Sequence, residues 1–464
     1  MRRVILVLIL TLAAVVRLYH FSSLFHWSLD EEYWAYLVYN VAHGFHLPLI
    51  GGNIGGTGLY TTPWFVYLTA LVSLLSNGSP LGLGLFAVIL SLCAIVSIYE
   101  LGKSIFCSKV GLIAAFIYSL SSIISFYDRR FWNPMLLPAL TTLTLLSVHK
   151  ISKGNLRYWL VLGIALALGF SVHGLAIVLV LFSIIFLFNK ITINRWFLIG
   201  LTIFLVSFLP LLIFEAKHSF VQAKGLVNSK SIGYAKFNTS QVFTFLSNGF
   251  SAVYHYDGSS NVKYLYTNNC HSYPQVSGST AAKLLVLAVF VLLAFKSLFD
   301  IRYRYFSVFI FLNALVLAFW QESWSWYYLL PSTVPLVIVT GAFLSTIQRR
   351  SKLIIFVVLA LFGLINLLII STTFHQYSYS AKIMQAKIIG TVTHDYPFEL
   401  KVNNSDSCQN YGYRYLFTYL QKEPAGSYID STLGWLYEDR IPKSRPAIEA
   451  TIIDGEINFK KLPL

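Results

Sequence analysis

Apolar runs long enough to cross the hydrocarbon core of a bilayer recur along most of this chain. Charged residues make up only 11% of the 464-residue sequence, whereas ordinary soluble domains carry about 25%. These features predict an all-α polytopic membrane protein with about eleven transmembrane helices. The predicted spans are roughly 4–19, 81–100, 110–127, 134–149, 159–172, 174–189, 196–214, 281–299, 305–320, 326–346 and 353–371.

The basic residues lie in short segments between the apolar runs, so the formal net charge of +15 indicates membrane topology rather than a nucleic-acid-binding patch. No Lys or Arg occurs in residues 18–102, 158–189 or 305–348. This alternation predicts a multi-pass plasma-membrane protein with a cytoplasmic N-terminus and an extracytoplasmic C-terminus. The first run is expected to be a signal anchor that forms the first span. The predicted cytoplasmic cations are Arg2, Arg3, Lys103, Lys109, Lys150, Lys153, Arg157, Lys190, Arg195, Lys296, Arg302, Arg304, Arg349, Arg350 and Lys352.

Two parts of the chain follow from this topology. Residues 1–371 are predicted to form a membrane domain with outer loops at 20–80 and 215–280, and residues 372–464 a small extracytoplasmic cap of mixed α/β character. Residues 158–189 are long for one helix and short for two. The charge alternation favours two short helices that turn near His173.

Three consecutive carboxylates, Asp30, Glu31 and Glu32, follow the first span and lie between Trp27 and Trp34. One interpretation is a solvated acidic turn in which Asp30 caps a helix that starts at Glu31. The other is a general base at the membrane surface, because burial against the indole rings would raise a carboxylate pKa towards a useful range. The residues alone leave both interpretations open.

Further polar clusters are predicted at the same outer face. Arg129 and Arg130 run against the positive-inside bias. They indicate either pairing with Asp128 or lipid head groups, or recognition of a phosphate by the guanidinium fork. The other candidate contacts are Asp128, His173, Lys217, His218, Tyr327 and Tyr328. The structural alternatives are pairing with an arginine for Asp128, a satisfied polar residue at a helix turn for His173, helix capping for Lys217 and His218, and anchoring of the rings at the membrane interface for the tyrosines.

Several classes of site find no support in the sequence. It lacks the HExxH, P-loop and GxSxG patterns of zinc peptidases, nucleotide hydrolases and α/β-hydrolases. The four cysteines form no CxxC pair, and we expect no obligatory metal or other cofactor. Cys270 and Cys408 are both predicted outside, where they either form a disulfide or remain free thiols.

Taken together, these features resemble the GT-C superfamily of membrane glycosyltransferases. The resemblance is to the branch of protein O-mannosyltransferases and lipid A aminoarabinose transferases, which is glycosyltransferase family 39-like. It covers most of the chain in order and topology, although each motif is short. The motifs are Arg17, Asp30-Glu31, Thr61–Tyr67, Arg129–Pro134, Glu215–Phe220, Tyr327–Pro331 and Tyr411–Tyr415.

The resemblance implies a GT-C-like fold and an inverting transfer of a sugar from a polyprenyl-phosphate donor to an acceptor hydroxyl of a lipid, glycan or protein. It implies that Asp30 is the base, that Glu31 supports it, and that Arg129, Arg130 and Arg17 bind the donor phosphate. Some relatives need a divalent cation and others do not. The segment Thr61-Thr62-Pro63 departs from the family, in which a charged residue often precedes paired prolines.

Two alternatives share this hydropathy. A transporter or flippase of lipid-linked sugars would show intramembrane charges or broken helices in matched halves, whereas the charges here lie at one face. A polysaccharide polymerase or ligase would use a pyrophosphate-linked oligosaccharide instead of a monophosphate-linked sugar.

Overall fold

Helices dominate the structure, a computed structural model that describes residues 2–54, 58–228, 239–256, 276–319, 325–348, 351–373, 375, 377–394, 396–405 and 407–463. The predicted helical membrane architecture is confirmed. The helices before the second outer loop are α1 (Arg2–Leu18), α2 (Phe21–Leu24), α3 (Leu29–Ala42), α4 (Trp64–Leu75), α5 (Pro80–Ile105), α6 (Ser108–Leu120), α7 (Ser122–Tyr127), α8 (Leu137–Ser152), α9 (Tyr158–Val172), α10 (Ala176–Leu187), α11 (Arg195–Val206) and α12 (Leu209–Lys217). The later helices are α13 (Val221–Asn228), α14 (Thr239–Tyr254), α15 (Thr280–Phe299), α16 (Ile301–Ala318), α17 (Leu330–Gln348), α18 (Lys352–Thr372), α19 (Tyr379–Thr393), α20 (Arg414–Tyr419) and α21 (Asp430–Leu433).

A helix occupies each predicted span. Within the described residues, seven helical segments are long and apolar enough to cross a bilayer: Pro80–Ile105, Asn133–Ser152, Arg195–Lys217, Thr280–Phe299, Ile301–Ala318, Trp326–Ile347 and Lys352–Thr372. The other four predicted spans coincide with the shorter helices α1, α6, α9 and α10. The predicted turn near His173 is also present, because α9 ends at Val172 and α10 begins at Ala176.

Two predicted spans are interrupted towards the end that is predicted to face outward. The span at 110–127 breaks at Ser121, which has extended ψ and separates α6 from α7. The span at 196–214 breaks between α11 and α12, where Pro210 takes a first-turn position because it has no N–H to donate. The break at Ser121 matters for the site, because α7 leads directly into the segment that contains Arg129 and Arg130.

Glycines bring the backbones of α9 and α11 into direct contact. A Cβ added at Gly163 would lie 2.6 Å from Gly200 Cα, and one added at Gly200 would lie 2.8 Å from the carbonyl carbon of Trp159. Small residues have this role between membrane helices because close packing, rather than expulsion of water, holds such helices together.

Gly163→Ala is expected to destabilise the protein by about 1–3 kcal/mol, since the new methyl group forces two backbones apart. The measurement is the midpoint of thermal unfolding in detergent. Gly390→Ala is the matched control because Gly390 is also helical but has room, with Lys422 Cγ 3.6 Å from the added Cβ. An equal midpoint for both variants would contradict the packing role of Gly163.

The C-terminal segment has the mixed α/β character that was predicted. It contains β1 (Phe398–Val402), β2 (Gly426–Ser427), β3 (Ile448–Ile453) and β4 (Glu456–Lys461) in the order β2-β1-β3-β4. β1 runs parallel to β2 and β3, and β4 is antiparallel to β3. A hydrogen bond between the hydroxyls of Tyr36 and Thr418 (2.8 Å) and one from Asn40 to the Leu436 carbonyl (2.7 Å) join this segment to α3. Cys270 lies outside the described residues, so its pairing with Cys408 stays a prediction.

Candidate active site

The acidic segment forms the first turn of α3, and its cap differs from the one predicted. The helix begins at Leu29 after Ser28. The N–H of Ser28 donates to Glu31 Oε2 at 3.1 Å, which is the reciprocal bond of a capping box. The proposed N-cap role of Asp30 is therefore wrong. Since Asp30 and Glu32 are two residues apart on a helix, their side chains leave it in nearly opposite directions.

Asp30 is the carboxylate of this turn that a solute can reach. Its side chain is 45% exposed, whereas those of Glu31 and Glu32 are fully buried. Burial nevertheless raises the pKa of Asp30, and the nearby guanidinium of Arg130 lowers it in part. Asp30 therefore lies in a concave setting, enclosed by protein but open on one side. Two of the three carboxylates have no solvent contact, so a solvated acidic turn is excluded.

Arg130 joins α3 to the segment that follows α7. Its Nε donates to Glu31 Oε1 at 2.6 Å, and its Nη2 lies 3.6 Å from Asp30 Oδ2. Its guanidinium lies over the ring of Trp132, 3.8 Å from the centroid. A planar cation held on three sides in this way has a fixed orientation. Glu31 supplies most of that restraint, and burial raises the pKa of its carboxyl while Arg130 opposes the rise.

An aromatic wall continues from Trp132, which we define as Trp132, His173, Tyr327 and Tyr328. The rings of Trp132 and Tyr327 meet edge to face at 4.8 Å between centroids. His173 meets Tyr327 at 5.6 Å and Tyr328 at 5.5 Å. The structure therefore brings three candidates into one cluster with Trp132, the ring over which Arg130 lies.

Arg17 and Arg129 have internal partners instead. Arg17 Nη2 binds Asp128 Oδ2 at 2.6 Å, and Arg17 Nη1 donates to the carbonyl of Ser119 at 2.9 Å. Arg129 donates from Nε and Nη2 to the carbonyls of Arg17 (2.9 Å) and Val16 (2.5 Å). Arg129 thus satisfies carbonyl groups at the C-terminal end of α1, and Arg17 satisfies one at the end of α6. These contacts favour a structural role for both arginines and for Asp128.

Lys217 and His218 lie at the end of α12, where His218 Nδ1 is 2.8 Å from the carbonyl oxygen of Phe214. Both are exposed. The buried residue of this region is Glu215, which accepts hydrogen bonds from the N–H groups of Gln222 (3.2 Å) and Ala223 (3.1 Å). Glu215 thus joins the end of α12 to the start of α13.

Sequence reasoning missed the buried pair His26 and His375. Nδ1 of His26 lies 3.1 Å from Nε2 of His375, and Nε2 of His26 lies 3.9 Å from Glu31 Oε2. Burial lowers the pKa of His26 well below its usual value and that of His375 to about 3, and Lys382 and Arg130 add to both shifts. Both rings are therefore neutral. Across the described ranges, no group of three or more His, Cys, Asp or Glu side chains is placed to hold a metal ion.

The comparisons with known proteins agree with this architecture. Residues 61–214 match the family model of dolichyl-phosphate-mannose-protein mannosyltransferase. ArnT from Cupriavidus metallidurans is similar in structure over 96% of this chain and 92% of its own, with a TM-score of 0.63 and 13% identity. Its complex with undecaprenyl phosphate gives a TM-score of 0.60 at 12% identity over the same shares of both chains.

A second kind of neighbour is the archaeal oligosaccharyltransferase AglB from Archaeoglobus fulgidus. Bound to an inhibitory peptide and a dolichol-phosphate, it has a TM-score of 0.50 and 12% identity over 97% of this chain and 69% of its own. No curated protein matches the sequence significantly. At these identities the likeness establishes the fold, so the predicted GT-C-like fold and the resemblance to these transferases are confirmed.

Proposed function

We propose that this chain, which has the fold of the GT-C membrane glycosyltransferases, transfers a sugar from a polyprenyl-phosphate carrier to an acceptor hydroxyl with inversion at the anomeric carbon. The observation that carries the proposal is the pairing of an accessible carboxylate, Asp30, with a buried and oriented cation, Arg130, 3.6 Å away. One structural neighbour binds undecaprenyl phosphate and another a dolichol-phosphate, which supports this class of donor.

The reaction needs a base and a stabiliser of the leaving group. Asp30 takes the proton from the acceptor hydroxyl as the hydroxyl oxygen forms its bond to the anomeric carbon. The bond from that carbon to the phosphate oxygen breaks, and the polyprenyl phosphate leaves with the electron pair. Arg130 faces the negative charge that develops on the phosphate, and Glu31 keeps the guanidinium in place. Asp30 later releases the proton to water.

The aromatic wall is the proposed contact for the sugar or the first isoprene units. Tyr327 and His173 retain partial exposure in the cluster with Trp132, over which Arg130 lies, as such a contact requires. Lys217 and His218 remain candidates for contact with the acceptor. We place the reaction at the extracytoplasmic face of the plasma membrane, on the support of the charge alternation. The acceptor is a lipid, a glycan or a protein.

The test is sugar transfer in purified membranes that contain the chain, supplied with a panel of radiolabelled polyprenyl-phosphate sugars. Consumption of one donor and appearance of label in an acceptor is the expected result. The same assay with EDTA checks that transfer needs no metal, since the proposal gives a divalent cation no required part. If no monophosphate donor is consumed while lipid-linked sugar crosses the bilayer, the chain is a transporter.

The oligosaccharyltransferase neighbour also makes a polymerase or ligase a candidate. Pyrophosphate-linked oligosaccharides therefore belong in the donor panel. Consumption of these donors alone would replace the monophosphate proposal and leave the transferase class unchanged.

The rate of transfer is expected to fall on the acid side as pH drops through the pKa of Asp30, at a pH above the ordinary aspartate value of about 3.9. The sign follows from burial, which raises this pKa and which Arg130 opposes only in part. The base acts while ionised, so activity present above the pKa is lost below it. The measurement is kcat/KM for the donor against pH. An acid limb at or below the ordinary value would contradict the assignment.

A further inference from the structure

Glu32 connects the acidic turn to the C-terminal segment. Its carboxylate is fully buried and accepts hydrogen bonds from the N–H groups of Gly412 (2.8 Å) and Tyr415 (2.9 Å). Tyr415 belongs to the first turn of α20, where backbone N–H groups have no helical partner. Burial raises the pKa of Glu32, and these two backbone bonds oppose the rise.

The turn at Gly412–Tyr415 is also hydrogen-bonded to Trp27, which precedes Ser28, the N-cap of α3. Trp27 Nε1 donates to the carbonyl of Gly412 at 2.6 Å. Lys382 Nζ donates to the carbonyls of Trp27 (2.8 Å) and Tyr411 (2.7 Å) and so bridges the two segments. We call the contacts among Trp27, Glu32, Lys382, Gly412 and Tyr415 the clamp.

The clamp allows little movement. Gly412 has φ of +95°, and a Cβ at this position would lie 2.8 Å from Trp27 Cδ1 and 2.9 Å from the Trp27 carbonyl oxygen. Glu32 leaves α3 nearly opposite to Asp30, so the first turn of α3 is held on one side by the clamp and on the other by Arg130.

We propose that the clamp positions Asp30 for catalysis, so that Glu32 and the turn at Gly412–Tyr415 are required for transfer although none of them touches the substrate. The inference rests on the proposed role of Asp30 as base. Arg130 belongs to the segment after α7 and lies over Trp132 of that segment, besides its hydrogen bond to Glu31. Loosening the clamp is therefore expected to displace Asp30 more than the phosphate-facing cation.

The expected result for Glu32→Gln is a loss in kcat of about 10- to 100-fold, because a displacement of about 1 Å costs on the order of 10²-fold in rate. The glutamine amide turns an NH2 group towards one of two N–H donors that need an acceptor. The donor KM is expected to stay within about 3-fold, because Arg130 keeps its contact with Trp132. A loss of folded protein would also lower the apparent kcat at constant KM, so kcat is compared per folded protein.

Gly412→Ala disrupts the clamp within the C-terminal segment, and Gly455→Ala is its matched control. Gly455 has φ of +96° and lies in the same segment, yet a Cβ there has nothing nearer than Gln385 Nε2 at 3.7 Å. Gly412→Ala is expected to lower kcat as Glu32→Gln does, and Gly455→Ala to stay within about 2-fold of wild type. The double variant Glu32→Gln/Gly412→Ala should have nearly the same kcat as the less active of the two single variants, since both substitutions break one unit.

Rates are expressed per folded protein, measured by size-exclusion chromatography and thermal unfolding. If Glu32→Gln fails to fold, the comparison of Gly412→Ala with Gly455→Ala tests the clamp proposal. Wild-type kcat in Gly412→Ala, or equal losses in both glycine variants, would overturn the clamp proposal. Normal transfer in Glu32→Gln with none in Asp30→Asn would overturn the clamp alone, whereas normal transfer in Asp30→Asn would remove the proposed base as well.

Discussion

Asp30→Asn lowers the rate of sugar transfer by about 10²- to 10⁴-fold, the usual contribution of a general base. Asparagine has nearly the same shape and can occupy the same position beside Arg130, but its amide takes no proton from an acceptor hydroxyl. The loss is expected in kcat, with donor binding retained, because the cation that faces the phosphate is unchanged. The measurement is initial transfer rate from the radiolabelled donor, alongside equilibrium binding of that donor.

The matched control is Asp439→Asn, which removes the same charge from an exposed residue of the C-terminal segment. It should transfer sugar within about 2-fold of wild type. Asp30→Glu keeps the base and shifts its position, so it should retain more activity than Asp30→Asn. Full activity in Asp30→Asn, with Asp439→Asn also normal, would exclude Asp30 as the base and direct attention to the other groups around Arg130.

The membrane architecture was predictable because the length and apolar character of each run are enough to predict its helix. A run such as 353–371 is long and apolar enough to specify α18 without reference to any other part of the chain. The turn at His173 was predictable for a related reason, since the positions of Lys190 and Arg195 were incompatible with a single helix. The breaks at Ser121 and before Pro210 were not predicted, because each lies inside a run that contains no charged residue.

The site was predictable only in part, because its partners are distant in sequence. Residues 27–34 pointed to Asp30 and Glu31, but three adjacent carboxylates look alike until their partners are known. Glu32 meets Gly412, which is 380 residues away, and His26 meets His375 at a separation of 349. The error at the helix cap is local: Ser28 and Asp30 are both good N-cap residues, and the spacing of Ser28 and Glu31 is the capping-box signal that decides between them.

Arg130→Lys tests the proposed role of Arg130 towards the donor phosphate, and we expect kcat/KM for the donor to fall by about 10²- to 10³-fold. Lysine keeps the charge but loses the planar fork that binds Glu31, approaches Asp30 and stacks on Trp132 at once. The lysine side chain is shorter, so its charge lies farther from Asp30 and opposes the burial effect less; the pKa of Asp30 then rises and the acid limb of the rate profile moves to higher pH.

Arg195→Lys is the control for this substitution, because Arg195 also lies over an indole ring, that of Trp196 at 4.9 Å, but at the start of α11 and exposed. It should leave transfer and its pH profile unchanged. Arg129→Lys tests whether Arg129 binds the phosphate or stabilises the fold. Arg129 donates hydrogen bonds to the carbonyls of Val16 and Arg17, so its loss should lower the unfolding midpoint more than the rate per folded protein. If Arg129→Lys instead lost transfer at normal stability while Arg130→Lys did not, the phosphate would belong to Arg129, and the contacts of Arg130 with Asp30 and Glu31 would be structural.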